Sequence, residues 1–189
     1  LNLLKFLSFS FAFYIVATFI YGSFVPPKYN PNLKYRMGSY GHLHSRINEI
    51  EEYTKVDLLF LGSSHAYRGF DTRIFKRNGY KSFNLGSSSQ TPLQTKVLLN
   101  RYLEKLKPEK VIYEVFPNTF AVDGVESSVD LISNDENDIH SLKMAVSVNN
   151  IITYNTLIYS SIRDVFNLDD SFKESKSRGK DTYISGGFV

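Results

Sequence analysis

Three short apolar runs, Asp57 to Leu61, Lys81 to Leu85 and Lys110 to Phe116, alternate with two segments carrying helix signals, and this alternation constrains the fold more than any other feature. Asp57 to Leu61 is apolar on both alternating sets of positions, as in a strand buried on both faces of a parallel sheet. Asp71 to Asn78 predicts a short helix, with Asp71 or Thr72 as N-cap and Gly79 as its stop. Thr91-Pro92 opens a longer one, proline being suited to the first turn, with Leu93, Val97, Leu98, Tyr102, Leu103 and Leu106 on one face. Parallel neighbours need a long crossover, so strand, helix, strand, helix, strand predicts a right-handed α/β unit: an open parallel sheet flanked by helices. Ahead of it, Leu43, Ile47, Ile50 and Tyr53 predict an amphipathic helix over 41–54. Beyond Pro117 the pattern weakens. Residues 121–138 are polar and acidic and are expected to form a surface excursion, Ile139 to Met144 and Asn150 to Phe166 read as helices, and Asp169 to Lys180 reads as a charged loop.

From Phe6 to Val25 no residue is charged. Twenty residues at 1.5 Å rise span about 30 Å, the thickness of a bilayer's hydrocarbon core. Pro26-Pro27 ends the segment. The expectation is an uncleaved transmembrane anchor over 1–25, contacting the bilayer through residues 6–25. Its rivals are a cleaved signal, with Ala17 or Gly22-Ser23 near the cleavage site, and a core helix. The Pro- and Asn-rich stretch 26–40 reads as an extended linker lifting an α/β domain, residues 41–189, off the membrane. Lys5 precedes the span while Lys28, Lys34 and Arg36 follow it, so charge does not settle orientation. The N-terminal position of a single span places the rest outside the cytoplasm, periplasmic or extracellular.

Composition narrows the chemistry. With 189 residues the chain is long enough for one domain, and a net charge of +3 with scattered basic residues leaves no footprint for nucleic acid. The absence of cysteine removes disulfides, thiolate metal sites and cysteine nucleophiles together. His42 and His44 alternate as a metal pair would, but no carboxylate stands nearby in sequence, so both are expected at the surface. No metal and no organic cofactor is expected.

Ligands of open α/β sheets bind at the carboxyl ends of the strands. Three loops fall there: Gly62-Ser63-Ser64-His65, Gly86-Ser87-Ser88-Ser89-Gln90, and Phe116-Pro117-Asn118. A serine on a strand-to-helix turn exposes its hydroxyl near a helix N-terminus, whose positive end favours developing negative charge. Gly86 permits close approach of a substrate oxygen to backbone N–H, and Asn118 would add a side-chain donor. Ser64 is thus a nucleophile position, with a plain N-cap as the alternative; Ser63 reads as structural, and Ser87 to Ser89 as lining their loop. His65 and Arg68 are candidates for substrate contact, against a turn histidine and a solvated arginine.

This layout resembles the SGNH, or GDSL-type, hydrolase superfamily over about residues 56–120. The Gly-Asp-Ser of its first motif is matched by Gly62-Ser63-Ser64, which makes Ser64 the nucleophile. The glycine of its second motif is matched by Gly86 in Asn84-Leu85-Gly86. Its third motif, Gly-x-Asn-Asp, is replaced by Phe116-Pro117-Asn118-Thr119-Phe120. The resemblance implies a flavodoxin-like three-layer fold. It also implies an oxyanion hole from the Ser64 and Gly86 amides with Asn118, and serine esterase or O-acyltransferase chemistry through an acyl-enzyme on an acylated carbohydrate or other ester. The Gly-Ser-Ser variant is similar to envelope-associated, membrane-anchored branches that act in D-alanylation of teichoic acids or acetylation of exopolysaccharides. The family's base lies in an Asp-x-x-His motif absent from this chain. His140, preceded by Asp138, is the only downstream histidine and reads as a solvated residue, so the Asp/His pair is expected beyond Val189. A non-catalytic accessory or carbohydrate-binding role is the alternative. A phosphate-binding reading lacks a Walker lysine and a Gly-x-Gly-x-x-Gly run.

Overall fold

A computed structural model describes residues 1–38 and 41–189. Ser39 and Tyr40, the last two residues of the stretch read as a linker, lie outside the described residues. The three apolar runs form β1 (Leu58–Leu61), β2 (Ser82–Asn84) and β3 (Lys110–Tyr113), a parallel sheet in the order β2-β1-β3. Leu58 lies opposite Ser82 on one side and Lys110 on the other. The central strand is the one whose residues are all apolar and all buried, because both its edges and both its faces are covered. Strands 2 and 3 end earlier than their apolar runs.

Between β1 and β2 come α3 (Ser64–Gly69) and α4 (Thr72–Arg77); α2 (Leu43–Glu49) precedes β1. Asp71 caps α4 by accepting from Arg73 N–H. The long helix α5 (Pro92–Leu106) begins with a full capping box, Thr91 and Gln94 exchanging bonds, with Pro92 in its first turn. Its face of Val97, Leu98, Tyr102 and Leu106 joins Leu59, Leu61, Phe83 and Leu85 in the core.

Past the sheet the structure departs from expectation. Residues 121–138 hold α6 (Val125–Asn134), whose residues Ser127 through Asn134 are all buried. The side chains of Ser128, Ser133 and Asn134 are not solvated but satisfied internally. Ser133 and Asn134 return bonds to the carbonyls of Val129 and Asp130, and Ser128 accepts from Gln94. The helices α7 (Ile139–Val148) and α8 (Ile151–Val165) follow, N-capped by Asp138 and Asn150. A hairpin of β4 (Ser177–Arg178) and β5 (Asp181–Thr182) begins within the region read as a charged loop and ends just past it.

The stretch read as a linker is docked rather than extended. Lys34 N–H donates to Thr156 Oγ1, Arg36 N–H to Ser133 Oγ and Gly38 N–H to Asn134 Oδ1, so residues 32–38 run along α6 and α8. His42 is not a surface residue but is buried beside Glu174, while His44 is half-buried and packs edge-on against Phe172 at 5.0 Å. Burial lowers the pKa of both imidazoles.

The first helix, α1 (Asn2–Phe24), has 23 residues and is long and apolar enough to cross a membrane. It is apolar around most of its circumference, but one stripe touches α8. Tyr14 Oη donates to Asn155 Oδ1 at 2.5 Å, and the Phe19 and Tyr159 rings lie 5.7 Å apart. A side chain on Gly22 would collide with the Tyr159 ring at 2.6 Å. At the other end, the tail covers the free edge of β2: Asn84 N–H donates to Gly186 O at 2.8 Å and Val189 N–H to Tyr67 O at 2.9 Å.

Candidate active site at the strand ends

The turn after β1 is built around Gly62. Its φ of +134° is closed to L side chains, and a Cβ there would sit 2.7 Å from the Cβ of Glu114. Gln90, fully buried, ties this turn to the loop after β2. Its Oε1 accepts from Gly62 N–H at 2.9 Å while its Nε2 donates to Leu85 O and Ser87 Oγ. Ser87 N–H donates to Gly62 O, closing the bridge from the other side.

Ser63, not Ser64, is the N-cap of α3. Its hydroxyl accepts from His65 N–H and donates to Glu114 Oε2 at 2.8 Å, and its own N–H donates to the same carboxylate oxygen at 2.9 Å. The His65 Nδ1 lies 3.0 Å from Ser63 Oγ. Because the Ser63 proton is given to Glu114, the network assigns a proton to His65 Nδ1, donated to Ser63. Ser63 is therefore saturated, with one proton given and two accepted. The His65 ring packs edge-on against Phe116, 4.5 Å between centroids, with its side chain otherwise exposed.

Ser64 opens α3, half-buried, and its hydroxyl makes no hydrogen bond among the described residues. Gly86 is close by: a Cβ on it would lie 3.1 Å from Gly62 O and from Ala66 Cβ, so the two strand ends touch through glycine. Its N–H, however, donates to Asn84 Oδ1 at 3.0 Å, and Asn84 is held by a bond to Ala66 O. Its carbonyl accepts from Arg46 Nη1 at 2.8 Å. Asn118 lies in the 3-10 turn Pro117–Phe120, exposed and without a side-chain hydrogen bond.

Of the remaining candidates, Arg68 is paired with Asp181 at 2.8 Å and stacks over Tyr67. His140 faces Asn100 of α5, while Asp138 caps α7 and binds Arg101. Neither contacts the β1 turn. A cleft of about 770 Å³ is lined by Tyr35, Arg101, Tyr102, Asp135 and Asp169 among others and includes none of Gly62 to His65, Gly86 or Asn118. Among the described residues no three His, Asp or Glu side chains gather as a metal site would require.

Sequence reasoning missed three residues here: Glu114, Gln90 and Arg46. Glu114 had a signal, a lone carboxylate inside the apolar run Lys110 to Phe116 and on the carboxyl side of the strand. Gln90 and Arg46 had none, because a buried glutamine or arginine is recognisable only once its partners are in place.

The fold and this turn define a class: an α/β protein with a three-stranded parallel sheet, a serine following its central strand, and an apolar N-terminal helix. No family model, curated protein or solved structure matches the chain.

Proposed function

We propose that the protein is a membrane-anchored serine esterase or O-acyltransferase of SGNH type, acting outside the cytoplasm on an acylated carbohydrate of the cell envelope. One observation carries the reading. Of the two adjacent serines after β1, Ser63 absorbs every capping and carboxylate contact, which leaves the Ser64 hydroxyl free at the strand end. The order β2-β1-β3 supports it, since in doubly wound sheets of that order the ligand crevice lies at the carboxyl ends beside β1 and β3. Ser64 Oγ would attack the ester carbonyl, passing its proton to the Asp/His base that the SGNH resemblance implies, with its own amide as oxyanion donor; the acyl C–O bond then breaks, the alcohol leaves with that proton, and an acyl-enzyme remains. The Gly86 amide would join once Asn84 Oδ1 yields it. Water or a sugar hydroxyl would then take the acyl group. Glu114 and His65 position the turn through Ser63 and do not touch the reacting atoms.

A non-catalytic accessory role is favoured by a different observation. The Gly86 N–H is already bonded, and the one histidine at the turn meets Ser63 instead of Ser64. Fluorophosphonate labelling of the protein expressed in membranes from its complete reading frame separates the two. Covalent label at Ser64, retained in Ser63→Ala and reduced at least about 100-fold in Ser64→Ala, is the expected result. A folded protein that never labels at Ser64 overturns the nucleophile assignment and leaves the accessory role.

A further inference from the structure

We propose that the free edge of β3 pairs antiparallel with the same edge of a second copy of the chain, joining two three-stranded sheets into one across a two-fold axis. The pairing does not depend on the chemistry assigned to Ser64.

The two edges of the sheet differ. The tail closes β2, where Asn84 N–H donates to Gly186 O. β3 is bonded on one side only. Lys110 N–H donates to Asp57 O and Glu114 N–H to Leu61 O, and the parallel register places Ile112 between them, so residues 110, 112 and 114 bond toward β1. The N–H and C=O groups of Val111, Tyr113 and Val115 therefore point away from the sheet. None of these groups has a partner among the described residues.

This edge is also apolar on both faces. Val111 and Val115 are 44% and 63% exposed on one face, and Phe116 is 36% exposed on the other, beside a half-buried Ile112. Strands of parallel sheets are ordinarily covered on both faces, and natural edges are blunted or covered. Water can meet the backbone groups but not the apolar side chains beside them. An extended strand that is apolar on both faces meets both, and β3 is itself such a strand.

Charge selects the register. Outward-pointing residues must oppose outward-pointing residues, which allows few alignments. With Val111 opposite Tyr113 of the second copy, each such pair exchanges both N–H···O bonds, Ile112 lies opposite its own copy, and Lys110 lies opposite Glu114 on both sides of the axis. Lys110 is exposed and has no ion pair among the described residues. Glu114 gives Oε2 to Ser63, while its Oε1 accepts no hydrogen bond and lies 3.9 Å from His65 Nδ1. A slip of the alignment one way sets Lys110 against Phe116 and Glu114 against Ile112. A slip the other way sets Lys110 against Ile112 and Glu114 against Pro108. Only the central alignment gives both charges a partner of opposite sign. Each strand-end turn then holds, at Glu114, a cation supplied by the second copy.

The chain has no cysteine, so one introduced cysteine can be bridged only to its own copy. Ile112 would form a non-hydrogen-bonded pair with Cα atoms about 4.5 Å apart, inside the span of about 4.4–6.8 Å that a disulfide bridges. Val115 would lie six residues out of register with its copy, about 20 Å away. Single-cysteine variants, expressed from the complete reading frame and extracted in mild detergent, are oxidised with copper phenanthroline. Ile112→Cys is expected to give at least about tenfold more covalent dimer than Val115→Cys or the distant Tyr80→Cys. Adding Val111→Pro removes an N–H that β1 does not use and should cut the Ile112→Cys dimer at least about tenfold. Adding Lys110→Glu sets like charges opposite each other at an exposed position and should cut it about threefold or more. If Ile112→Cys stays monomeric, the edge is closed by some other strand and the proposal falls. It falls equally if positions 115 and 80 cross-link as well as 112 does. Should Val111→Pro fail to fold, Lys110→Glu decides alone, and an unchanged dimer yield overturns the pairing.

Discussion

Replacing Arg101 by methionine is expected to lower folding stability by about 3–5 kcal/mol, the usual cost of stripping one partner from a buried ion pair. The Arg101 side chain is only 2% exposed and the Asp135 side chain 1%, with Nη1 to Oδ2 at 2.7 Å. Arg101 also donates to Asp138 at 2.6 Å and to Ser141 Oγ at 2.7 Å, joining α5 to the start of α7. Tyr102 donates to the second oxygen of Asp135. Methionine keeps the volume and removes every one of the Arg101 donors, so Asp135 is left buried with only Tyr102 and the Glu136 amide. Burial already pushes the Asp135 carboxyl above its usual range, and the loss of Arg101 drives it to take up a proton instead. Thermal unfolding of the full chain in detergent should fall by about 8–15 °C. The double variant Arg101→Met with Asp135→Asn should recover much of the loss. A single variant within about 1 kcal/mol of the parent would show that the network is decorative.

The same network sets an acid limit. Although burial opposes it, the bonds from Arg101 and from the Ser141 and His140 amides hold the Asp138 carboxyl down to about 2. A carboxyl depressed in the folded state adds stability above its unfolded value near 4, and that stability is lost as pH falls toward 2. Unfolding measured between pH 6 and pH 2 should therefore show a loss of about 1–2 kcal/mol from this group, smaller in Arg101→Met.

Arg46→Leu is the second large effect, with an expected loss of about 3 kcal/mol from three carbonyls orphaned together, offset in part by removal of a buried charge. Arg46 is fully buried and bonds to Gly86 O at 2.8 Å, Gly41 O at 2.8 Å and Gly187 O at 3.1 Å, with its guanidinium 4.9 Å from the Tyr67 ring centre. No carboxylate lies within ion-pair distance of it among the described residues. It is a spacer that uses a planar fork of donors to hold α2, the loop after β2 and the tail at once. Lysine offers one compact ammonium in place of that fork, so Arg46→Lys should lose nearly as much. The local signature is amide exchange. Protection at Asn84 and Val189, whose N–H groups bond across to Gly186 and Tyr67, should drop before the core opens. Full protection in Arg46→Lys would overturn the spacer role.

Which parts of this molecule were legible in advance follows from where each residue finds its partners. The strand β1, the capped helix α5 and the apolar α1 announce themselves because their signals are local: an unbroken apolar run, a Thr-Pro start with a glutamine three residues on, twenty uncharged positions. α6 does not. Its serines, asparagine and aspartate have the composition of a surface loop, and Ser128, Ser133 and Asn134 among them are buried against Gln94, Arg36 and Gly38, which arrive from elsewhere to bond them. The docked linker and the buried His42 fail to show for the same reason. At the strand ends the sequence marked Gly62, Ser64 and Gly86 by residue type and spacing. It could not say which serine caps the helix, because that choice turns on Glu114, 51 residues away, reaching back to Ser63. Local chemistry is written in local order, so the parallel sheet and the strand-end serine could be read directly. Division of labour between Ser63 and Ser64, the commitment of the Gly86 amide and the seating of α8 on α1 arise from long-range contacts, and only the folded chain brings those partners together.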